Sequence, residues 1–262
     1  MKVEVLVSTM HQKDLTLINK MNIKGDAIII NQCDRNEYIE SNDHNRSLRM
    51  YSFSEFGVGK SRNNALMRST GDICLMADDD MVYVDNYEEI VLNAFIENPK
   101  ADMILFNVPI LKKNGQKIIK VKENKRVSFF NSLKYGTVNI AYRREKIIKR
   151  NIFFSLLFGG GARYGCGEDS IFITESLKKG MKIYSNKSII AEIQEGESTW
   201  FTGYNEKFFF DKGALFAAIS KKGAYLLAIQ FIIRKRKLYL EGNLTLRVAL
   251  RNMLLGIRNF KK

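Results

Sequence analysis

A short aliphatic run, Ile73-Cys74-Leu75-Met76-Ala77, passes without a spacer into Asp78-Asp79-Asp80, and this break in polarity restricts the fold more than any other feature of the chain. Successive apolar residues stopped by charged ones form a strand buried on both faces. Comparable runs recur at Val3 to Val7, Ala27 to Asn31, Leu48 to Phe53 and Asp102 to Val108. Between them, Asp14 to Met21, Gly59 to Thr70 and Asn86 to Glu97 have helical periods; in the last, Ile90, Val91, Ala94 and Phe95 share one face. Strands apolar on both sides and separated by helices need a parallel sheet covered on each face. The expectation is an α/β, Rossmann-like, doubly wound sheet.

The second half carries different signals. Lys113-Asn114-Gly115-Gln116 separates two short apolar runs with an Asn-Gly turn, which predicts a hairpin extending the same sheet and makes that sheet mixed. Phe158 to Gly167 holds five glycines and predicts a flexible loop before a helix over Asp169 to Lys179. Strands at Met181 to Tyr184 and Ser188 to Ile193 close a domain spanning 1–206. Residues 207–262 read as a basic, amphipathic helical tail.

Charge is concentrated in that tail. Lys and Arg number 42 against 28 Asp and Glu, a formal net +14; residues 207–262 contribute 13 basic and two acidic residues, or +11 of it. Such a segment suits a polyanionic partner or surface. The longest candidate membrane segment, Gly213 to Ile233, is broken by Lys221-Lys222, whereas crossing needs about 20 apolar residues, so no spanning helix is expected. Met1 to Val7 reads as a first strand rather than a signal peptide. Cys33, Cys74 and Cys166 form no metal-ligating or CxxC spacing, which fits a reducing compartment.

In an open parallel sheet, ligands bind beyond the carboxyl ends of the strands. The residues there are Ser8-Thr9, Gln32-Cys33-Asp34 and Asp78-Asp79-Asp80. Three adjacent carboxylates repel one another, and a hard divalent cation with a bound diphosphate would neutralise them. A solvated turn or an acidic helix cap reads the same locally. Arg62, early in the following helix, is placed either to meet a nucleotide or to pair with a carboxylate.

Ser61-Arg62-Asn63-Asn64-Ala65, then Gly71-Asp72 through Asp80, then Gly167-Glu168-Asp169, resemble in order and spacing the family 2 glycosyltransferases of GT-A fold. The resemblance covers roughly residues 1 to 205. It implies an inverting, metal-dependent transfer of a sugar from a nucleotide donor, most simply UDP-linked, to a glycan hydroxyl in capsule or surface-polysaccharide assembly. Asp78 then corresponds to the ribose contact and Asp79 to the ligand of Mn²⁺ or Mg²⁺, with Asp80 supporting it or, one residue on, replacing it. Thr9, Asp34 and Arg62 stand where the family contacts the uracil base. Asp169 corresponds to the general base and Glu168 to a residue holding the acceptor. Arg163, Tyr164 and Trp200 are the acceptor-side candidates. Many members place a histidine after the last core strand; Ile193 to Glu197 has none, leaving Glu195 or Glu197 for that position.

The tail interleaves Phe208-Phe209-Phe210, Leu226-Leu227, Phe231-Ile232-Ile233 and Leu254-Leu255 with Arg and Lys. That pattern suits the surface of an anionic membrane, and peripheral docking on the inner face of the cell membrane would bring the enzyme to a polyprenyl-diphosphate-linked acceptor. A packed helical subdomain or a dimer interface uses the same residues, and the oligomeric state stays open. No nucleic-acid-binding module is recognisable. The rival readings are a nucleotidyltransferase, which would place a glycine-rich phosphate loop where Ser8-Thr9-Met10-His11 stand, and a non-enzymatic membrane or nucleic-acid adaptor.

Overall fold

The computed structural model describes every residue except 44, 45, 195, 197–200, 202 and 262. Trp200, Glu195 and Glu197 lie outside the described residues. In chain order the elements are β1 (Val3–Met10), α1 (Leu17–Lys20), β2 (Asp26–Gln32), β3 (Glu37–Asp43), β4 (Arg46–Phe53), α2 (Val58–Arg68), β5 (Ile73–Asp78), β6 (Met81–Tyr83), α3 (Tyr87–Glu97), β7 (Met103–Asn107), β8 (Ile110–Leu111), β9 (Lys117–Ile118) and β10 (Lys125–Arg126). They continue with β11 (Ile140–Arg143), α4 (Arg144–Lys149), α5 (Glu168–Lys178), β12 (Ile183–Ile189), β13 (Ala191–Gln194), α6 (Glu206–Ile219), α7 (Ala224–Arg234), α8 (Arg236–Glu241) and α9 (Leu246–Lys261).

The main sheet runs β10-β12-β7-β11-β5-β1-β2-β4-β3. β5, β1, β2 and β4 are parallel neighbours, as the buried runs require. Side chains alternate between two cores: Val3, Val5, Val7, Leu75 and Ala77 face α1 and α3, while Leu6, Cys74 and Met76 face the side of α2 and α5. Both faces of β1, β2 and β5 are therefore dry, which is why these three strands read as continuous apolar segments, whereas β4 alternates.

Four strands were not expected from the sequence, the short β6 and β10 together with β3 and β11. β3 is an antiparallel edge strand whose residues are largely polar, and β11 lies antiparallel between β5 and β7. The Asn-Gly hairpin forms as expected, with Ile110 opposite Ile118 and Gly115 at φ +80°. It does not extend the main sheet: β8 and β9 join β6 and β13 in a separate four-stranded sheet. Pro109, which has no amide hydrogen to donate, follows β7 and directs the chain away from the main ladder.

The tail is a packed helical bundle. Phe209, Phe216, Ile232, Met253 and Ile257 form its core, so most of the apolar residues singled out in the tail point inward. α6 and α9 approach so closely that a Cβ on Gly256 would lie 1.9 Å from the Phe210 carbonyl oxygen. No helix among the described residues is long and apolar enough to cross a membrane. All three cysteines are free.

Candidate active site

The parallel register places Ser8 opposite Asp78 and Thr9 opposite Asn31, so the ends of β1, β2 and β5 share one rim. There the Thr9 hydroxyl donates to Asp79 Oδ2 at 2.5 Å, and the Gln12 amide donates to Thr9 Oγ1 at 3.1 Å. Asn31, fully buried, accepts from the Gln12 backbone amide at 2.8 Å and donates to Ser52 Oγ at 2.9 Å. Asp34 is exposed just past β2, and Arg35 beside it donates to the Gln12 carbonyl. Thr9, itself on β1, thus orients a carboxylate and is in turn oriented by Gln12.

Asp79 and Asp80 remain exposed at the mouth of this rim. Partial burial of the carboxyl, then the charges of Asp78 and Asp79, push the Asp80 pKa from 3.8 to about 6, although the residue as a whole is exposed. Unneutralised hard oxygen donors of this kind fit Mg²⁺ or Mn²⁺, which fill their remaining positions with phosphate oxygens and water. Among the described residues no group of three or more His, Cys, Asp or Glu is arranged for a metal, so Asp79 and Asp80 would by themselves supply only part of a ligand set.

Arg62 is buried between two carboxylates. It lies on the buried face of α2, with Ser61 on the same helix donating to Ser8 Oγ at 3.0 Å. Its guanidinium spans Asp78 Oδ1 at 2.8 Å and Glu168 Oε1 at 2.6 Å. Burial opposes its charge, but the two carboxylates outweigh that and raise its pKa further. The resemblance sets Arg62 beside uracil and Glu168 on the acceptor; the structure shows the two tying the β5 end to the start of α5. A planar fork suits two acceptors at once, which an ammonium does not.

Asp169 follows in the first turn of α5. Its Oδ1 accepts the Ser170 amide at 2.6 Å. Burial, then the Glu168 charge, raise its pKa, against the Ser170 amide, Lys212 and Arg62. A carboxylate moved toward neutrality is a better proton acceptor.

The glycine-rich segment before α5 is held, not free. On one side the Val58 amide donates to the Gly160 carbonyl at 2.9 Å. On the other, Asp211 of α6 accepts the Gly165 amide at 2.9 Å and Lys207 Nζ at 2.7 Å. Tyr164, expected at the acceptor, is buried: its ring stacks on Phe158 at 4.7 Å, packs near Phe260, and its hydroxyl donates to Asn259 Oδ1 at 3.2 Å. Arg163 donates to the same oxygen at 2.9 Å. Gly167 has φ +109° and a Cβ there would meet Leu215 at 2.6 Å, so glycine is required where α6 packs on the entry to α5. Asp211, Asn259, Asn31 and Gln12 were not foreseen; each acts through partners too distant in sequence for local spacing to reveal.

Residues 28–157, close to half of the chain, match Glycosyl transferase family 2. No curated protein matches the sequence. The fold is similar to that of S. aureus TarS 1-349 in complex with UDP, at 16% identity and a TM-score of 0.64 over 98% of this chain and 81% of that one. TarS 1-349 in complex with UDP-GlcNAc gives 18% identity and 0.59 over 83% of this chain, which spans 66% of that chain's length. Full TarS gives 17% and 0.60 over 88% of this chain and 43% of its own. The chain thus matches glycosyl transferase family 2 over residues 28–157 and shares the GT-A fold.

Proposed function

We propose that the protein transfers a sugar, with inversion, from a UDP-linked donor to a hydroxyl of a glycan acceptor. Asp169 takes the proton of the acceptor hydroxyl as its oxygen forms a bond to the anomeric carbon. The bond from that carbon to the diphosphate breaks on the opposite face, and UDP leaves. Asp78 and the rim around Thr9 and Asp34 receive the nucleoside. Asp79 and Asp80 would hold a divalent cation, Mn²⁺ or Mg²⁺, whose chemistry is to neutralise charge on the departing diphosphate. The acceptor in this reading is a surface-polysaccharide chain, such as a polyprenyl-diphosphate-linked oligosaccharide.

The observation that carries the proposal is the Arg62 bridge, which brings the acidic strand end and the base-bearing helix within one side chain's reach. UDP as nucleotide is supported by the likeness to TarS, whose structures include complexes with UDP and UDP-GlcNAc. The test is a calorimetric titration of UDP, with GDP and CMP as controls, into wild type and Asp79→Ala, each with and without Mn²⁺. Heat of binding that needs both UDP and Mn²⁺ and is lost in the variant supports the donor site. Metal-independent binding that ignores Asp79 overturns it.

A further inference from the structure

Folding of the tail hides most of its apolar residues but leaves one stripe uncovered. On α7, Ala224, Ala228 and Ile232 face the bundle core, while Leu226, Ile229 and Ile233 point outward with 72%, 47% and 70% of their surface exposed. Their spacing of three and four residues sets them on one side of the helix. Lys221-Lys222 precede the stripe and Arg234 to Lys237 follow it. All six cations are exposed, none pairs with a carboxylate among the described residues, and residues 221–237 contain no Asp or Glu.

α9 continues the pattern. Leu254 and Leu255 alternate with Arg247, Arg251 and Arg258 along an open groove, and α9 too has no acidic residue. Lys261 Nζ lies 4.6 Å over the Tyr225 ring, which joins the end of α9 to the start of α7.

We propose that this face of α7 and α9 docks on the surface of an anionic lipid bilayer, with α7 lying in the plane of the interface. At 11 and 16 residues the two helices measure roughly 16 and 24 Å, short of the roughly 30 Å hydrocarbon core, so the stripe enters the boundary layer without crossing. Aliphatic side chains flanked by cations at both ends match acyl chains below and anionic headgroups around them. A second copy of the chain would bring two sets of unpaired cations together, which like-charge repulsion disfavours. A nucleic acid would meet the cations but leave Leu226, Ile229 and Ile233 against a phosphate backbone that offers them nothing.

The proposal is independent of the donor chemistry, and the test uses no nucleotide. The full chain is floated with phosphatidylglycerol-containing vesicles and with pure phosphatidylcholine vesicles. Flotation is expected only with the former and is expected to fall with added salt. Leu226→Ser with Ile233→Ser, both at exposed positions, should weaken partitioning at least about tenfold while leaving the melting curve unchanged. Changing Arg234 to Lys237 into Gln should weaken it about fivefold per charge removed. Absence of flotation, equal flotation of the variants, or light scattering that shows a wild-type dimer converted to monomer by the serine pair with flotation intact, would each overturn the assignment.

Discussion

Arg62 donates from one terminal nitrogen to Glu168 Oε1 at 2.6 Å, joining α2 to the first residue of α5 across 106 positions of chain. Its other terminal nitrogen holds Asp78, so one buried cation serves both carboxylates. Arg62→Met removes it and leaves the two charges unpaired. The expected loss is about 3 kcal/mol of stability in chemical denaturation, together with a fall in kcat. Arg62→Lys, able to meet only one partner well, should lie between. Equal stability of all three proteins would show that the bridge does not form in solution.

Asp169→Asn should separate activity from stability. On the proposed mechanism the change is expected to lower kcat about 10²- to 10⁴-fold. Melting temperature should rise near neutral pH, because a carboxyl whose folded pKa is raised opposes folding whenever the pH is high enough to ionise it. Below the carboxyl's unfolded pKa both states are protonated and the advantage disappears. In wild type, kcat/KM should fall as pH drops through a limb lying above the ordinary aspartate value. Glu168→Gln, which removes one cause of the shift, should move that limb to lower pH. A limb that stays in place would assign the titration to another group.

Asp211→Ala tests whether the tail positions the base. The Gly165 amide and Lys207 lose their acceptor, and the entry to α5 is freed from α6. We expect kcat to fall about 10- to 100-fold through loss of orientation, with calorimetric UDP affinity unchanged because the strand-end carboxylates are untouched. Rates equal to wild type would reduce the contact to a packing detail.

Glu4 tests the fold apart from the site. Completely buried on β1, it accepts from Arg49 at 2.7 Å and from the amides of Thr70 and Gly71 at 2.7 and 2.9 Å. Glu4→Ala should cost about 3 to 5 kcal/mol by denaturant titration, since those donors lose a charged acceptor. A loss below about 1 kcal/mol would mean that water replaces it.

The parallel half of the sheet was legible because β1, β2 and β5 are dry on both faces and carry their signature in consecutive residues, while β4 shows it as an alternation. β11 was not, since Ile140-Ala141-Tyr142-Arg143 is too short a run to declare itself and is fixed by β5 and β7. β3 was hidden by Glu37, Glu40 and Asn42, which an edge strand can expose. At the site, Asp78 to Asp80 and Glu168-Asp169 were visible as motifs. The inward turn of Arg62 and the capture of Tyr164 by Asn259 depend on where α5 and α9 pack, and no spacing within either segment encodes that.

The insertion of β11 between β5 and β7 also sets an order of assembly. The chain from β1 to β5 holds its own pairing partners and can pair as it emerges, with β1 joining β5 across 70 positions. β7 has no place beside β5 until residues 140–143 fill the gap, and β12 joins β7 only later. Such non-local closure is slow relative to helix formation or hairpin pairing. A nascent or refolding chain therefore carries its acidic strand end for some time with an unfilled sheet edge at β5, before Glu168 and Asp169 come to face it. Catalytic competence marks completion of the fold, while early intermediates expose a strand edge that invites pairing with another chain.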